Sequence, residues 1–282
     1  MNKDSSFICP PFVEKLMSRL SAAGFEVYVV GGAVRDHLMG IVPHDYDLTT
    51  SALPEDVIAL FSDMRTVPTG IKHGTVSVIS DSHAVEITTF RLDGGYSDGR
   101  HPDKVSFSKN IADDLARRDL TVNALAWSPS TGVVDLFGGK SDIENRIVRA
   151  VGDPHLRFTE DALRILRAFR FAARLDFSIE NETFCAAARL KDRLSLVSVE
   201  RIAAELCGLL LAKNPSPTLH LMKKSGVLSA VLPDIDIPDE NIAALSRLAD
   251  GAILEVRLGR LLRGVADARG ALCRLRLSNR TV

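Results

Sequence analysis

The 282-residue sequence has only four cysteines, Cys9, Cys185, Cys207 and Cys273, and no two of them form a C-x-x-C pair. That scatter signals neither a zinc site nor a disulfide framework, so the thiols are expected to be reduced. Long apolar runs are lacking too. The densest, Leu206 to Ala212, is far too short to span a bilayer. The N-terminal MNKDSSFICPP lacks the basic, apolar and small-residue succession of a signal peptide and does not suit a transit peptide. Together these absences predict a soluble, cytosolic protein. A formal charge of −1 argues against a uniformly basic nucleic-acid binder. There is no long linker, low-complexity tract or internal repeat, which predicts that the later helical half packs directly on the earlier β-rich half.

What is present is enough apolar residue, 46%, to bury the core of two modest domains or of one domain with a helical extension. The character of the chain changes near Lys140. Before it, β-rich runs such as EVYVV, TVSVIS, AVEITTF and KVSFS alternate with Gly, Pro, Asp and Ser, and helical segments fall at Pro11 to Ala23 and Pro54 to Phe61. After it, strand signals vanish and 3.6-residue periodicity dominates, over Glu160 to Leu175, Asn181 to Leu190, Val199 to Ala212 and Pro217 to Ser225. The pattern predicts an α/β sheet domain followed by an all-helical region. Between Gly251 and Arg280 lie seven arginines, no lysine and two carboxylates. Charge alone leaves a solvated helix face and a phosphate-backbone surface as equal readings.

The richest segment is VVGGAVRDHLMGIVPHDYDLTT, Val29 to Thr50. Strand EVYVV runs into Gly31-Gly32, and Ala33 to Met39 has the composition of a short helix ending near Gly40, so the glycines predict a strand-to-helix turn. Backbone N–H groups at such a turn can hold phosphate oxygens. Arg35 falls in the first helical turn, where it could add a charge-assisted hydrogen bond. A Gly-Gly pair by itself more often only turns the chain.

The aspartates sharpen the reading. HDYDLTT is extended in character, and residues i and i+2 of a strand share a face, so Asp45 and Asp47 point together while Tyr46 points away. Two such carboxylates repel unless a cation lies between them, and oxygen-only ligands suit Mg²⁺. Two solvated loop aspartates would be the bland alternative. Glu86 in AVEITTF sits mid-strand among apolar neighbours, where a charge is otherwise costly. If that strand lies beside HDYDL, the three carboxylates make a two-metal cage.

GGAVRDHLMG followed by HDYDLTT resembles the signature of the bacterial-type (class II) CCA tRNA nucleotidyltransferase and poly(A) polymerase family, of the polymerase-β-like superfamily. The similarity continues in order through PTGIKHGTVSV, VEITTFR, DLARRDLTVNALAW, DLFGGKSDIENRIVRAVGDP, RFTEDALRILRAFRFAARL and VSVERIAAEL, covering roughly residues 25 to 212. The resemblance implies an α+β fold: a nucleotidyltransferase head with a mixed sheet over 1–140, an all-α neck over 141–215 and a helical body over 216–282. It implies template-free, metal-dependent addition of CMP, CMP and AMP to the 3′ end of a tRNA acceptor arm from CTP and ATP, with no membrane and no DNA partner. Poly(A) polymerase, a CC- or A-restricted enzyme, and a nucleotide- or RNA-binding chain with little turnover remain alternatives.

Carried over by position, the resemblance implies that Asp45, Asp47 and Glu86 bind Mg²⁺, and that Gly31, Gly32 and Arg35 contact the triphosphate. Arg118 would contact the nucleotide, with Asp119 and Asn123 bracing it. Asp161, Arg164, Arg167 and Arg170 would line the base pocket. Their spacing of three predicts one drifting helix stripe, with Leu163, Leu166 and Phe169 on another. Asp161 can only accept and Arg164 only donate, which complements the pairing edges of cytosine and adenine.

Other residues carry less. Lys72 and His73 could touch phosphate or simply form a turn, His44 and His101 read as surface residues, and Trp127 reads as core. Arg91 to Lys104, rich in Gly and Asp, predicts a mobile loop at a position where the family's A-adding members use one. The chain ends at LRLSNRTV, where the resemblance implies a body domain still in progress, so a shortened form is the expectation.

Overall fold

The computed structural model describes residues 7–94 and 104–277, which fall into two compact units, 7–94 with 104–145, and 146–277. In the first unit the elements run α1 (Pro11–Ala22), β1 (Val27–Val30), α2 (Gly32–Leu38), β2 (Asp47–Thr50), α3 (Pro54–Leu60), β3 (Thr66–Gly70), β4 (Thr75–Ser80), β5 (His83–Thr89), β6 (Arg91–Gly94), β7 (Lys104–Phe107), α4 (Ile111–Ala116), β8 (Leu125–Ser128), β9 (Gly132–Asp135) and α5 (Gly139–Glu144).

Seven strands form one mixed sheet in the order β3-β4-β5-β2-β1-β8-β9. Every pair is antiparallel except β2 with β5. That exception follows from the chain path: α3 and the β3–β4 hairpin lie between the two strands, long enough to carry β5 back in the same direction. One face carries Val29, Leu48, Ile87, Val85, Val76 and Val78 into the main core. There they meet Val13, Leu16, Met17 and Leu20, spaced by three and four along α1, together with Val57 and Phe61 at α3. Pro11 and Pro54 open those helices, where a missing N–H costs no hydrogen bond. The opposite face holds a smaller cluster of Tyr28, Val30, Phe90, Leu115 and Ala126, with Leu115 supplied by α4. Trp127 lies in the main core, stacked 4.5 Å from Phe7.

β6 and β7 pair with each other as a separate two-stranded sheet and do not extend the main one. The segment read as a loop therefore begins and ends in strand, at Arg91–Gly94 and Lys104; positions 95–103, with His101, lie outside the described residues. The first unit extends through α5, past Lys140, because the Thr121 hydroxyl donates to Asp142 at 2.6 Å and ties that helix to the preceding turn.

In the second unit follow β10 (Ile147–Val148), α6 (Pro154–Glu160), α7 (Leu163–Leu175), β11 (Ser178–Ile179), α8 (Asn181–Leu190), α9 (Val199–Leu210), α10 (Ser216–Ser225), α11 (Val227–Val231), α12 (Asp239–Ala244), α13 (Leu254–Leu261) and α14 (Ala268–Arg274). It is helical apart from a parallel pair of two-residue strands, β10 with β11, which are too short to leave an alternating pattern in the sequence. The helix expected over Glu160 to Leu175 is interrupted. α6 stops at Glu160, Asp161 is extended (φ −140°, ψ 107°) and α7 begins at Leu163. No helix among the described residues is long and apolar enough to cross a membrane.

The arginine-rich segment resolves into separate roles. Arg257 is buried, and its guanidinium donates to the carbonyls of Ala252, Leu210 and Ala212, each at 2.8 Å. Arg274 pairs with Asp267, and Arg276 with Glu200. Both pairs are solvent-exposed, and neither reading of this segment as one continuous face holds for Arg257. Replacing Arg257 with methionine keeps the apolar stem but leaves three carbonyl oxygens without their donor. The expected loss is about 2–4 kcal/mol, measured as a lower urea midpoint with unchanged slope. An unchanged midpoint would show that the guanidinium does not staple this corner.

Candidate active site

The carboxylates are set by strand register. β2 begins at Asp47, whose Cα partner on β5 is Glu86, so the two side chains share one face on neighbouring strands about 4.8 Å apart. Leu48 and Ile87, the next pair, point to the core. Asp45 precedes the strand, exposed, and Tyr46 between them is buried, which is the alternation expected of HDYDL. The same sheet face continues through Thr49, Thr88 and Thr75, with the last two hydroxyls 2.9 Å apart.

Asp47 is a solvent-exposed residue whose carboxyl is nonetheless flanked by Glu86 and Arg118. Burial and then the Glu86 carboxylate push it above the usual carboxylate range, Arg118 pulls the other way, and Asp45 adds a smaller upward push. Among the described residues no group of three His, Cys, Asp or Glu side chains is gathered as a ready metal cage. Asp47 and Glu86 are thus brought together, while Asp45 stands at the strand entrance and does not close a three-ligand set. The donor chemistry fits a divalent cation: all candidate atoms are carboxylate oxygens, and the crowding that raises Asp47 is what a positive charge relieves.

Beside them stands a polar cluster built on the DLARRD segment. Asp114 of α4 is fully buried and receives Arg117 at 2.6 Å and Arg118 at 3.1 Å, three and four residues on. Burial pushes the Asp114 carboxyl up, but the charges and hydrogen bonds of Arg118 and Arg117 outweigh it and hold the group below the usual range. Arg118 also donates to the Asn123 carbonyl at 3.4 Å. Its guanidinium lies against Gly31, where a Cβ would meet Nη1 at 3.1 Å, and Gly31 has φ +70°. The first glycine of the pair is thus required by a left-handed turn and by this close approach. Its N–H donates to the Leu125 carbonyl at 3.0 Å, so it is engaged within the unit and does not point outward as the turn reading implies. Gly32 opens α2.

Arg35 differs most from its sequence reading. It is only 2% exposed, and its guanidinium donates to Asp36 at 2.6 Å and to the Asn123 side chain at 2.5 Å. Asn123 in turn donates to Asp119 at 3.4 Å. Arg35 therefore braces α2 against the RRDLTVN segment from inside. Lys72 and His73 form a one-turn helix after β3, and the His73 carbonyl accepts from Arg91.

In the second unit Asp161 is not on a stripe with the arginines. It occupies the corner between α6 and α7, with Oδ1 accepting from the Leu163 N–H at 3.0 Å and Oδ2 from Arg201 at 2.7 Å. Arg164 donates to Glu160 at 2.5 Å and to the Arg157 carbonyl at 3.3 Å. Arg170 donates to Glu205 at 2.5 Å and lies 4.5 Å over the Phe171 ring, with Arg167 5.5 Å from the same ring. α9 presents Gly208 to Arg170, where a Cβ would sit 2.8 Å from its Cδ. Arg164, Arg167 and Arg170 are half-buried between the inward Leu163, Leu166 and Phe169, as the threefold spacing implies. Sequence reasoning gave no role to Glu160, Arg201, Glu205 or Asp114. For Asp114 the signal was there, since it precedes Arg117 and Arg118 by three and four; Arg201 and Glu205 take partners outside α9, Asp161 and Arg170, which their own spacing does not announce.

Residues 27–149 match the Poly A polymerase head domain, and residues 176–237 match the family described as "Probable RNA and SrmB- binding site of polymerase A". The CCA-adding enzyme of Bacillus stearothermophilus, solved in complex with CTP, is 36% identical, with a TM-score of 0.86 over 97% of this chain and 68% of that one. The chain belongs to the CCA-adding enzyme family. The CCA-adding enzyme of Ligilactobacillus salivarius is 48% identical to it over 205 residues, 73% of this chain and 50% of that protein. That of Streptococcus sanguinis is 46% identical over 235 residues, 83% of this chain and 57% of the relative. The chain spans about half the length of the curated relatives it matches.

The buried Asp114 pairs give a pH test. A carboxyl held below its unfolded value, near 3.8, stabilises the fold above that pH, and the contribution disappears as pH falls through the depressed folded value. Asp114→Asn should cost about 3 kcal/mol at neutral pH, and its deficit against wild type should shrink below pH 4. A deficit independent of pH in urea unfolding would mean that packing, not charge, holds Asp114.

Proposed function

We propose that this chain is a template-independent tRNA nucleotidyltransferase that adds CMP, CMP and AMP to the 3′ end of a tRNA acceptor arm, using CTP and ATP. The observation that carries the reading is the parallel register that sets Asp47 opposite Glu86 on an open sheet face, in a member of the CCA-adding family. We read the first unit, to Asn145, as the nucleotidyltransferase head, 146–215 as the neck and 216–282 as part of the body.

Asp45 and Asp47, with Glu86 beside them, would hold Mg²⁺. The bound metal supplies a lower pKa for the attacking 3′-hydroxyl and charge stabilisation for the departing pyrophosphate. The chain's own groups do the rest. Arg118, carrying a fixed positive charge next to Asp47, binds the triphosphate. Its pairing with Asp114 and its seat against Gly31 hold the guanidinium in one place. Arg35 and Asn123 keep that seat rigid from within. In-line attack on the α-phosphorus forms one P–O bond as the bond to pyrophosphate breaks; pyrophosphate leaves with the bonding electron pair and the hydroxyl proton passes to solvent water, with no histidine needed. Base choice we assign to Asp161 and Arg164: cytosine and adenine each offer an amino donor beside a ring-nitrogen acceptor, and guanine and uracil reverse that order. Arg167 and Arg170, over Phe171, complete the lining.

The test is to incubate the purified protein with tRNA lacking CCA, lacking CA or lacking only A, each with one nucleotide at a time. The expected result is CMP on the first two, AMP on the third, and little UMP or GMP on any. Runs of AMP on all three would favour a poly(A) polymerase, and CMP alone would favour a CC-restricted enzyme. Asp47→Ala should lower the rate by roughly a thousand-fold or more while leaving the circular dichroism spectrum unchanged, since removing one of two repelling carboxylates does not weaken the fold. Near-wild-type turnover in saturating Mg²⁺ would remove Asp47 from the reaction.

A further inference from the structure

We propose that Arg201 is a specificity-determining positioning residue, which fixes the Asp161 carboxylate and thereby sets which nucleobase edge the chain accepts. This inference rests on the reading of Asp161 and Arg164 given above, and it adds a residue from a different helix.

Asp161 and Arg164 are three residues apart, close enough along the chain to collapse onto each other. A carboxylate and a guanidinium that satisfied one another would present no edge to a base. The structure keeps them apart. Glu160 takes Arg164 at 2.5 Å, and Arg201 takes Asp161 Oδ2 at 2.7 Å. The Leu163 N–H holds Oδ1, so the carboxylate is fixed at both oxygens, one by backbone and one by Arg201. An ionised carboxylate has about four acceptor positions, so two bonds orient the group and still leave lone pairs for an amino donor.

Arg201 is not a fold staple of the kind seen at Arg257. The Arg257 guanidinium satisfies three backbone carbonyls. The Arg201 guanidinium has Asp161 as its one hydrogen-bond acceptor among the described residues, and its buried Nη1 has none. What it acts on is therefore the orientation of Asp161. One turn later on α9, Glu205 holds Arg170 in the same manner, so a single helix supports two groups of the base-reading set.

The experiment measures kcat/KM for CTP and UTP on tRNA lacking CCA, and for ATP and GTP on tRNA lacking only the terminal A. The proteins compared are wild type, Arg201→Gln, Arg201→Lys and Glu200→Gln. Glu200 neighbours Arg201 on the same helix, but is solvent-exposed and pairs with Arg276. The expected result is a fall of roughly 10- to 100-fold in the CTP-to-UTP and ATP-to-GTP ratios for Arg201→Gln, because a mobile carboxylate no longer rejects the wrong edge. Arg201→Lys, which keeps the charge but not the fork, should recover part of each ratio. Glu200→Gln should match wild type. A general loosening lowers all four nucleotides together and leaves the ratios unchanged, and that result in Arg201→Gln overturns the proposal. If Arg201→Gln melts before assay temperature, Arg201→Lys decides: a folded, fully discriminating lysine variant at reduced rate overturns it equally. A wild-type protein that does not prefer CTP and ATP would overturn the underlying reading, and with it the proposal; a discriminating wild type beside a discriminating Arg201→Gln overturns the proposal alone.

Discussion

The parallel pairing of β2 with β5 is the constraint on which the first unit depends. Every other neighbouring pair in its seven-stranded sheet is antiparallel, and only this one sets Asp47 beside Glu86. Slipping β2 by one residue would drive Asp47 into the core and take Leu48 out of it, and slipping β5 would do the same to Glu86 and Ile87, so the apolar face enforces the position of the charged one. Two carboxylates held together in this way repel, and burial first, then the Glu86 charge, raise the Asp47 carboxyl. The sheet tolerates them because α1 and α3 bury a continuous core on the other side. Arg118 supplies a positive charge that opposes the rise at Asp47, and it is held by Asp114, Asn123 and the absence of a side chain at Gly31.

The second unit solves a different problem, that of displaying charged groups from a packed helix. α7 buries Leu163, Ile165, Leu166, Phe169 and Ala172 and keeps Arg164, Arg167 and Arg170 half-exposed at every third position. Guanidinium groups so close together repel, and the structure distributes partners among them: Glu160 for Arg164, Glu205 and the Phe171 face for Arg170. The break at Asp161 lets one carboxylate stand at the head of this row without being absorbed into it. Both units therefore use the same device, in which a second set of charges fixes the first.

The large-scale organisation could be read from periodicity, because it rests on local rules. β-Rich runs bounded by turn residues mark the strands around EVYVV and AVEITTF, the helices over Asn181 to Leu190 and Val199 onward appear nearly where their spacing puts them, and the change of character near Lys140 precedes the unit boundary by a few residues. The placing of Glu86 beside Asp47 is the condition that the β2–β5 register meets, while Asp45 lies just before the strand, where alternation does not fix its face. What could not be read depends on long-range partners. GGAVRD reads Arg35 as a triphosphate contact, and nothing in it announces that Asn123, 88 residues away, accepts from its buried guanidinium. The helix break at Asp161 is hidden because Glu160 to Leu175 is uniformly helix-forming, and the extended residue is stabilised by Arg201, 40 residues later. Arg257 looked like part of a basic face and became an interior staple for the same reason.

The central claim is that the first unit carries the phosphoryl chemistry and the second unit chooses the base. The most direct measurement is kcat/KM of Asp161→Ala for CTP, ATP, UTP and GTP on the matching tRNA ends. The account predicts that the preference for C and A over U and G, of order 10⁴ for a site built on paired polar groups, falls towards unity while nucleotide addition itself persists. Unchanged discrimination in a folded Asp161→Ala protein would contradict it and place base choice elsewhere in the chain.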